Sequence, residues 1–247
     1  WQHDTLTEDL DLSYRAWLRG WKTVYADDIE CPAEVPSHMT AFKAQQRRWA
    51  RGSTATAKKL LWAIWRSGAS LGDKLQATLH LTHYTVHPLI LASALLVVPL
   101  ALVAPEHAWW WSFLAPLAMA TGGPIAMALA AIGEEPGPSR RRVREIATLM
   151  ILGTGLALSN SLAVFAGLLF RHGEFERTPK GGVASSYFSA NDRLGVAEVL
   201  CSVGCLVSIV WLLERGIFAM VPFLFLYAAG LGTVGILTLR EGLAGRV

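Results

Sequence analysis

Charged side chains are scarce in this sequence. Only 17% of the 247 residues are Asp, Glu, Lys or Arg, against roughly 25% in a soluble domain. Much of the chain therefore lacks the groups that would keep it in water. Neither sign dominates: 22 basic and 19 acidic residues leave a net charge of +3, too weak a field for a nucleic-acid binder. Three cysteines exclude a disulfide framework. Low-complexity tracts and internal repeats are missing, and an apolar content of 53% excludes a disordered chain. No signal-peptide n-region or h-region opens the sequence. It starts at Trp1 and passes at once into polar residues, as expected of the C-terminal piece of a longer protein.

What is present is unevenly spread. Residues 1–76 read as soluble protein, and most of 77–239 reads as membrane. Residues 5–20 carry the signals of a helix: Thr5 or Thr7 as cap, then Glu8, Asp9 and Asp11 on the first turn, where the helix dipole favours negative charge. Asp11 and Arg15 form an i,i+4 pair, and Gly20 is a stop. Lys22–Ala26 is a strand candidate, and 27–36, with two prolines and several acids, is a loop. A second helix is expected from about Thr40 to Gly52. Residues 54–76 mix Lys58, Lys59, Arg66 and Lys74 with Trp62, Trp65 and several leucines, the pattern of a helix lying in the membrane interface. An ordinary amphipathic core helix has the same pattern.

Four runs are long enough to span a bilayer, about 79–104, 108–132, 194–213 and 216–239, where ~20 residues are needed. Trp109, Trp110 and Trp111 open the second of them like an aromatic belt. The run 146–170 is different. Gly153-Thr154-Gly155 and Ser159-Asn160-Ser161 interrupt it. Arg140, Arg141, Arg142 and Arg144 precede it, while Arg171, Arg177, Lys180 and Arg193 follow it. The positive-inside rule places both flanks in the cytoplasm, so the run is expected to dip in and return, or to lie partly in the interface. A fifth span that violates the charge rule is the alternative. On the first reading residues 1–76, the loop 171–193 and the tail 240–247 are all cytoplasmic.

His80, His83, Tyr84 and His87 fall near one face of the first span. Three uses fit them: lining a polar cavity, binding a metal through i, i+3, i+7 spacing, or hydrogen bonding between helices. Cys201 and Cys205 lie four apart in the third span, where small inert hydrophobes are the default.

Two short motifs carry the chemistry. Thr7-Glu8-Asp9 is followed by Gln45-Gln46-Arg47-Arg48-Trp49. Together they resemble the TED and QxxRW pair of the processive family 2 glycosyltransferases, which include cellulose, mannan, chitin and hyaluronan synthases. The surrounding Thr-Glu-Asp-Leu-Asp-Leu-Ser-Tyr-Arg-Ala stretch, Gly20-Trp21-Lys22, Glu34-Val35-Pro36 and Arg48-Trp49-Ala50-Arg51-Gly52 extend the likeness. Phe175-Glu176-Arg177-Thr178-Pro179-Lys180 is similar to the gating loop of cellulose synthases, FxVTxK, with Arg177 in place of the usual valine.

The resemblance implies roles. Asp9 would be the general base that takes a proton from an acceptor hydroxyl as it attacks the anomeric carbon of a nucleotide-sugar. Glu8 would bind substrate or serve structure. Gln45 and Arg48 would contact the donor's diphosphate, which an arginine fork suits, and Trp49 would form a platform under the acceptor sugar. Phe175, Thr178 and Lys180 would form a flap that closes over the nucleotide. The plain readings are a helix-start carboxylate, a solvated basic helix face with a core tryptophan, and a basic loop facing anionic lipid.

The expected architecture is thus an α-helical membrane protein. Residues 1–53 would be the C-terminal remnant of a cytoplasmic α/β (GT-A-like) domain, 54–76 an interface helix, and 77–239 about four transmembrane helices with interfacial or re-entrant helices. The implied function is that of a membrane-bound inverting glycosyltransferase, in the cell (inner) membrane, that polymerises UDP-glucose or GDP-mannose into a β-linked polysaccharide and threads it through its own channel. Its partners would be the nucleotide-sugar, the growing polysaccharide and the lipid bilayer, with no nucleic acid. The resemblance also implies a divalent cation, Mg or Mn, in the full-length protein. Its DxD ligands and the uridine-binding aspartates are not in this chain, since Asp27-Asp28 lies after TED; no metal ligand is named, and the fragment alone is expected to be inactive. Two alternatives remain: a non-catalytic exporter subunit, and a non-processive enzyme that moves one sugar to a lipid.

Overall fold

The computed structural model describes residues 2, 4–26, 28–103, 139–169 and 192–244. The expected span at 108–132 and the loop residues Phe175, Thr178 and Lys180 lie outside them. The described residues fold as helices: α1 (Glu8–Leu18), α2 (Met39–Arg66), α3 (Leu71–Thr82), a 3-10 turn (His83–Thr85), α4 (Val86–Val103), α5 (Ser139–Gly155), α6 (Ala157–Leu169), α7 (Asp192–Glu214) and α8 (Val221–Ala244).

They divide into two compact units. One holds the described residues through Pro88, those from 158 to 169 and those from 241 to 244. Its core joins Ala57, Leu60 and Ile64 of α2 to Ala77 and Leu81 of α3, with Leu10, Tyr14 and Trp17 of α1 packed against them. A second cluster joins Ala50 and Tyr84 to Ala163 and Val164 of α6. Gly167 lets α6 approach the Arg51 carbonyl of α2, and Lys58 Nζ donates to the Leu168 carbonyl at 2.6 Å.

The other unit holds residues 89–157 and 191–240 among those described. Val97 of α4, Cys205 and Leu212 of α7, and Leu224 and Ala228 of α8 form its core. Glycines set close helix approaches here. Gly230 of α8 faces the Ile151 carbonyl of α5, and Gly235 faces the Gly195 carbonyl of α7. Small residues at such contacts are the usual means of packing helices in lipid, where apolar burial drives nothing.

Leu71–Val103, Arg193–Glu214 and Val221–Leu243 are long and apolar enough to cross a membrane, matching three of the expected runs. The last of them begins later than 216 because Gly216, at φ +70°, closes α7. The Gly216 N–H bonds the Leu213 carbonyl and the Ile217 N–H the Leu212 carbonyl, a Schellman ending. The interrupted run is broken between Gly155 and Ala157, with a bend of 51°.

Four expectations need correction. Lys22–Ala26 is not a strand: it is irregular, and Val24 and Tyr25 are 90% exposed. A strand needs a partner for its backbone groups, and none stands beside it among the described residues. Thr7 begins α1, yet its side chain makes no cap bond; its hydroxyl meets that of Thr56 at 3.3 Å instead. The second helix does not stop at Gly52, nor does a separate interface helix start at 54. α2 runs unbroken for 28 residues to Arg66, because Gly52 is buried against Thr7, and that packing outweighs its weak helix propensity. The first span is likewise longer than expected, opening at Leu71 under a Ser70 cap whose Oγ accepts from the Asp73 N–H at 3.1 Å.

Candidate functional site

The polar start of α1 is held in place by α2. Asp11 is fully buried between two cations. Arg15 Nε donates to its Oδ2 at 2.7 Å, and Lys59 Nζ of α2 lies 2.8 Å from its Oδ1. Lys59 also pairs with Asp4 at 2.8 Å and donates to Gln2 Oε1 at 2.7 Å. The i,i+4 pair read from sequence is therefore half of a larger clamp. Burial pulls the Lys59 ammonium down, but hydrogen bonds to Asp11 and Asp4 outweigh it and raise its pKa above the usual 10.5. The same hydrogen bond holds the Asp4 carboxyl below its usual 3.8, against the opposing effect of burial.

Close packing completes the placement. A Cβ at Gly52 would stand 2.9 Å from the Thr7 backbone nitrogen and 2.6 Å from its Cγ2. Only glycine lets the two segments meet this closely. Gly52→Ala is expected to push Thr7-Glu8-Asp9 off α2 and to destabilise the protein by about 1–3 kcal/mol, the range for overpacking. Thermal unfolding in detergent would measure it, and an unchanged midpoint would contradict the account.

With α1 docked, its first turn and the middle of α2 face one cleft of about 490 Å³, within the range of small-ligand sites. Glu8, Asp9, Arg48 and Trp49 all line it. Trp49 is 40% exposed, which leaves part of its ring open to a flat ligand. Asp9 is exposed, and its Oδ1 accepts the Leu10 N–H at 2.8 Å. Gln45 stands one turn before Arg48 on the same helix face, but it is not part of the cleft wall.

Ser53, His83 and Tyr84 also line the cleft. The His83 and Tyr84 rings are 4.1 Å apart between centroids, so two further rings border the cleft. Tyr84 Oη donates to Gln46 Oε1 at 3.2 Å, which ties the turn after α3 to α2. The sequence showed these residues only as part of a polar face. Two more of the four bond neighbouring helices, making three with Tyr84: His80 Nδ1 with Tyr14 Oη at 2.9 Å, and His87 Nε2 with Asn160 Nδ2 at 3.0 Å. His87 Nδ1, Asn160 Oδ1 and Ser159 Oγ are buried without hydrogen-bond partners among the described residues.

The cleft's donor set does not fit a divalent cation. Among the described residues no group of three His, Cys, Asp or Glu side chains stands together to hold one.

A cleft that joins a helix-start carboxylate to an arginine–tryptophan pair carries both motifs of the resemblance. Residues 1–123 match the family model for glycosyl transferase family group 2, and the chain belongs to that family. It is 33% identical over 110 residues to glucomannan 4-beta-mannosyltransferase 1 of Oryza sativa subsp. japonica, covering 43% of this chain and 21% of that protein. It is 34% identical over 110 residues to glucomannan 4-beta-mannosyltransferase 7 of Arabidopsis thaliana, covering 43% of this chain and 20% of that protein. Over a shorter stretch of 67 residues it is 42% identical to glucomannan 4-beta-mannosyltransferase 2 of Arabidopsis thaliana, 27% of this chain and 12% of that protein. The chain thus spans about a fifth or less of the length of these relatives. No solved structure matches it significantly.

Proposed function

We propose that this chain is the acceptor-side portion of a membrane-embedded inverting glycosyltransferase that builds a β-linked hexose polymer. The observation that carries the reading is the single cleft lined by Glu8, Asp9, Arg48 and Trp49. In the reaction, an acceptor hydroxyl oxygen forms a bond to the anomeric carbon of the donor sugar. The bond from that carbon to the diphosphate breaks, and the hydroxyl proton passes to Asp9. Arg48 meets the negative charge that grows on the leaving diphosphate, and Gln45 assists from one turn away. Trp49 supports the sugar ring, facing His83 and Tyr84. Glu8 orients the acceptor or the base. Phe175, Thr178 and Lys180 close over the nucleotide and exclude water.

The polymer's way out starts at this cleft. Past Tyr84 stand His87, Ser159 and Asn160, whose unpartnered polar atoms suit sugar hydroxyls or water better than lipid. The cleft faces the cytoplasm of a cell whose inner membrane holds the spans. Leu168 lies against Lys58 on α2, and the helix pair before it is bent by 51°. Both support a run 146–170 that returns to the cytoplasmic side. The divalent cation belongs to the part of the full-length protein outside this chain. The names of the relatives make a 4-β-linked mannose product, from GDP-mannose, the first to test, with glucose from UDP-glucose second.

The test is product analysis of the full-length protein in membrane vesicles with each labelled donor. A ladder or long polymer is expected, digestible by a β-1,4-mannanase or a cellulase. Trp49→Ala should shorten the product about tenfold, the factor that corresponds to one aromatic contact of about 1.4 kcal/mol. A single sugar on a lipid would show a non-processive enzyme. Export of polymer without any transfer would show a pore subunit.

A further inference from the structure

α2 carries Arg48 and Trp49, yet it lacks a cap of its own. His38 precedes it in extended backbone with no side-chain cap bond, and its first turn holds no acidic residue. The free N–H groups of that turn need acceptors. They find them some two hundred residues away in the sequence, in one carboxylate at the end of α8. The Met39 N–H donates to Glu241 Oε1 at 2.7 Å, and the Thr40 N–H and hydroxyl donate to Oε2 at 2.9 Å each. His38 Nδ1 lies 4.0 Å from Oε1. Both carboxylate oxygens are thus engaged, at the helix end where the dipole favours an anion.

We propose that Glu241 is a positioning residue of the acceptor site. It anchors the start of α2 from outside the helix, and so sets where the Trp49 platform stands opposite Asp9. An α-helix transmits such an anchor well, because it is a rod that advances about 1.5 Å per residue. Trp49 lies nine positions after Thr40, so the anchor acts from about 13.5 Å away. The catalytic carboxylate is docked further along the same helix, by Gly52 and by the Lys59 clamp on Asp11, beyond the turns that Glu241 holds. Losing Glu241 therefore shifts the platform and leaves the base in place. This inference rests on the glycosyltransferase reading above.

The experiment uses the full-length protein and three variants: Glu241→Ala, Glu241→Asp, and Glu241→Ala combined with His38→Asp. Two quantities are read: amide hydrogen exchange at residues 39–44, and transfer from the labelled donor to a soluble β-linked oligosaccharide. Glu241→Ala should speed exchange. It should also raise the acceptor KM about tenfold, with a smaller fall in kcat because Arg48, next to Trp49, moves with the platform. Glu241→Asp keeps the charge and should recover part of both. His38→Asp supplies a local cap. In the alanine background it should restore slow exchange but leave the KM high.

Recovery of both quantities by His38→Asp would make Glu241 an ordinary cap and overturn the proposal. So would unchanged exchange and unchanged KM in Glu241→Ala. A wild-type protein that transfers no sugar from any donor would instead remove the functional reading, and the site role of Glu241 with it. The exchange arm tells that failure apart from a failure of the cap.

Discussion

Asp9→Asn in the full-length protein is expected to lower sugar transfer by about 10²–10⁴-fold, the usual worth of a positioned general base. The substitution is nearly isosteric. Asparagine's carbonyl oxygen can still accept the Leu10 N–H that Asp9 Oδ1 accepts at 2.8 Å, and the surface position imposes no packing change. On the proposed role, what is lost is the ability to take a proton from the acceptor hydroxyl. The loss should fall on kcat, with the donor KM little changed, because the base acts in the transition state. A plain helix-start carboxylate would behave otherwise: its removal costs only about 0.3–1 kcal/mol of stability and leaves turnover intact. Synthesis at a near-normal rate in Asp9→Asn would therefore sink the catalytic assignment and favour the exporter. Glu8→Gln, next to it in the same cleft, should have a smaller effect.

Lys59→Met is expected to be the most damaging change to the placement of that base. Asp11 has no exposed surface, and Lys59 supplies one of its two cationic partners. Breaking a buried ion pair from one side typically costs about 3–5 kcal/mol. The Arg15 contact remains, so the cost should lie near about 3 kcal/mol. Denaturant or thermal unfolding in detergent would measure it, and faster exchange along α1 would locate it. The double variant Lys59→Met with Asp11→Leu should recover part of the loss, since the fully buried carboxylate is removed and Arg15, 21% exposed, can turn to water. If the single variant unfolds like the wild type, the clamp is not what holds α1.

The clamp also has a pH signature. The Lys59 pKa is raised above its usual 10.5, so its stabilising effect is complete below that value. It is lost as pH rises through the raised pKa. Asp4 is held below its usual 3.8, so its smaller, partly exposed contribution is present above that value and lost as pH falls through the lowered one. Lys59→Met should remove both slopes together.

Much of the helical layout was legible in the sequence because its signals are local. Three apolar runs became the three helices able to span. Gly20 ended α1 as expected, with φ +86°. The Gly-Thr-Gly and Ser-Asn-Ser interruptions marked the run that bends. Local signals failed where a distant partner decides. Gly52 reads as a stop until Thr7 is seen packed on it, and Thr7 reads as a cap until its hydroxyl turns to Thr56. Lys22–Ala26 has a strand's composition and, among the described residues, nothing beside it to pair with. Asp11, Lys59 and Asp4 were visible as separate charges, and no spacing rule joins residues 4, 11 and 59.

Residue types and their order alone determined the chemistry on offer: a carboxylate at a helix start, an arginine–tryptophan pair on a second helix, and apolar runs behind them. Those are properties of side chains and of short-range periodicity, which a linear chain displays openly. The tertiary structure alone decided that the two motifs share one cleft, that His83 and Tyr84 line it with them, and that Glu241 caps the helix bearing Trp49. Such contacts join residues tens to hundreds of positions apart. They exist only once close packing and charge pairing have chosen a single arrangement of the helices.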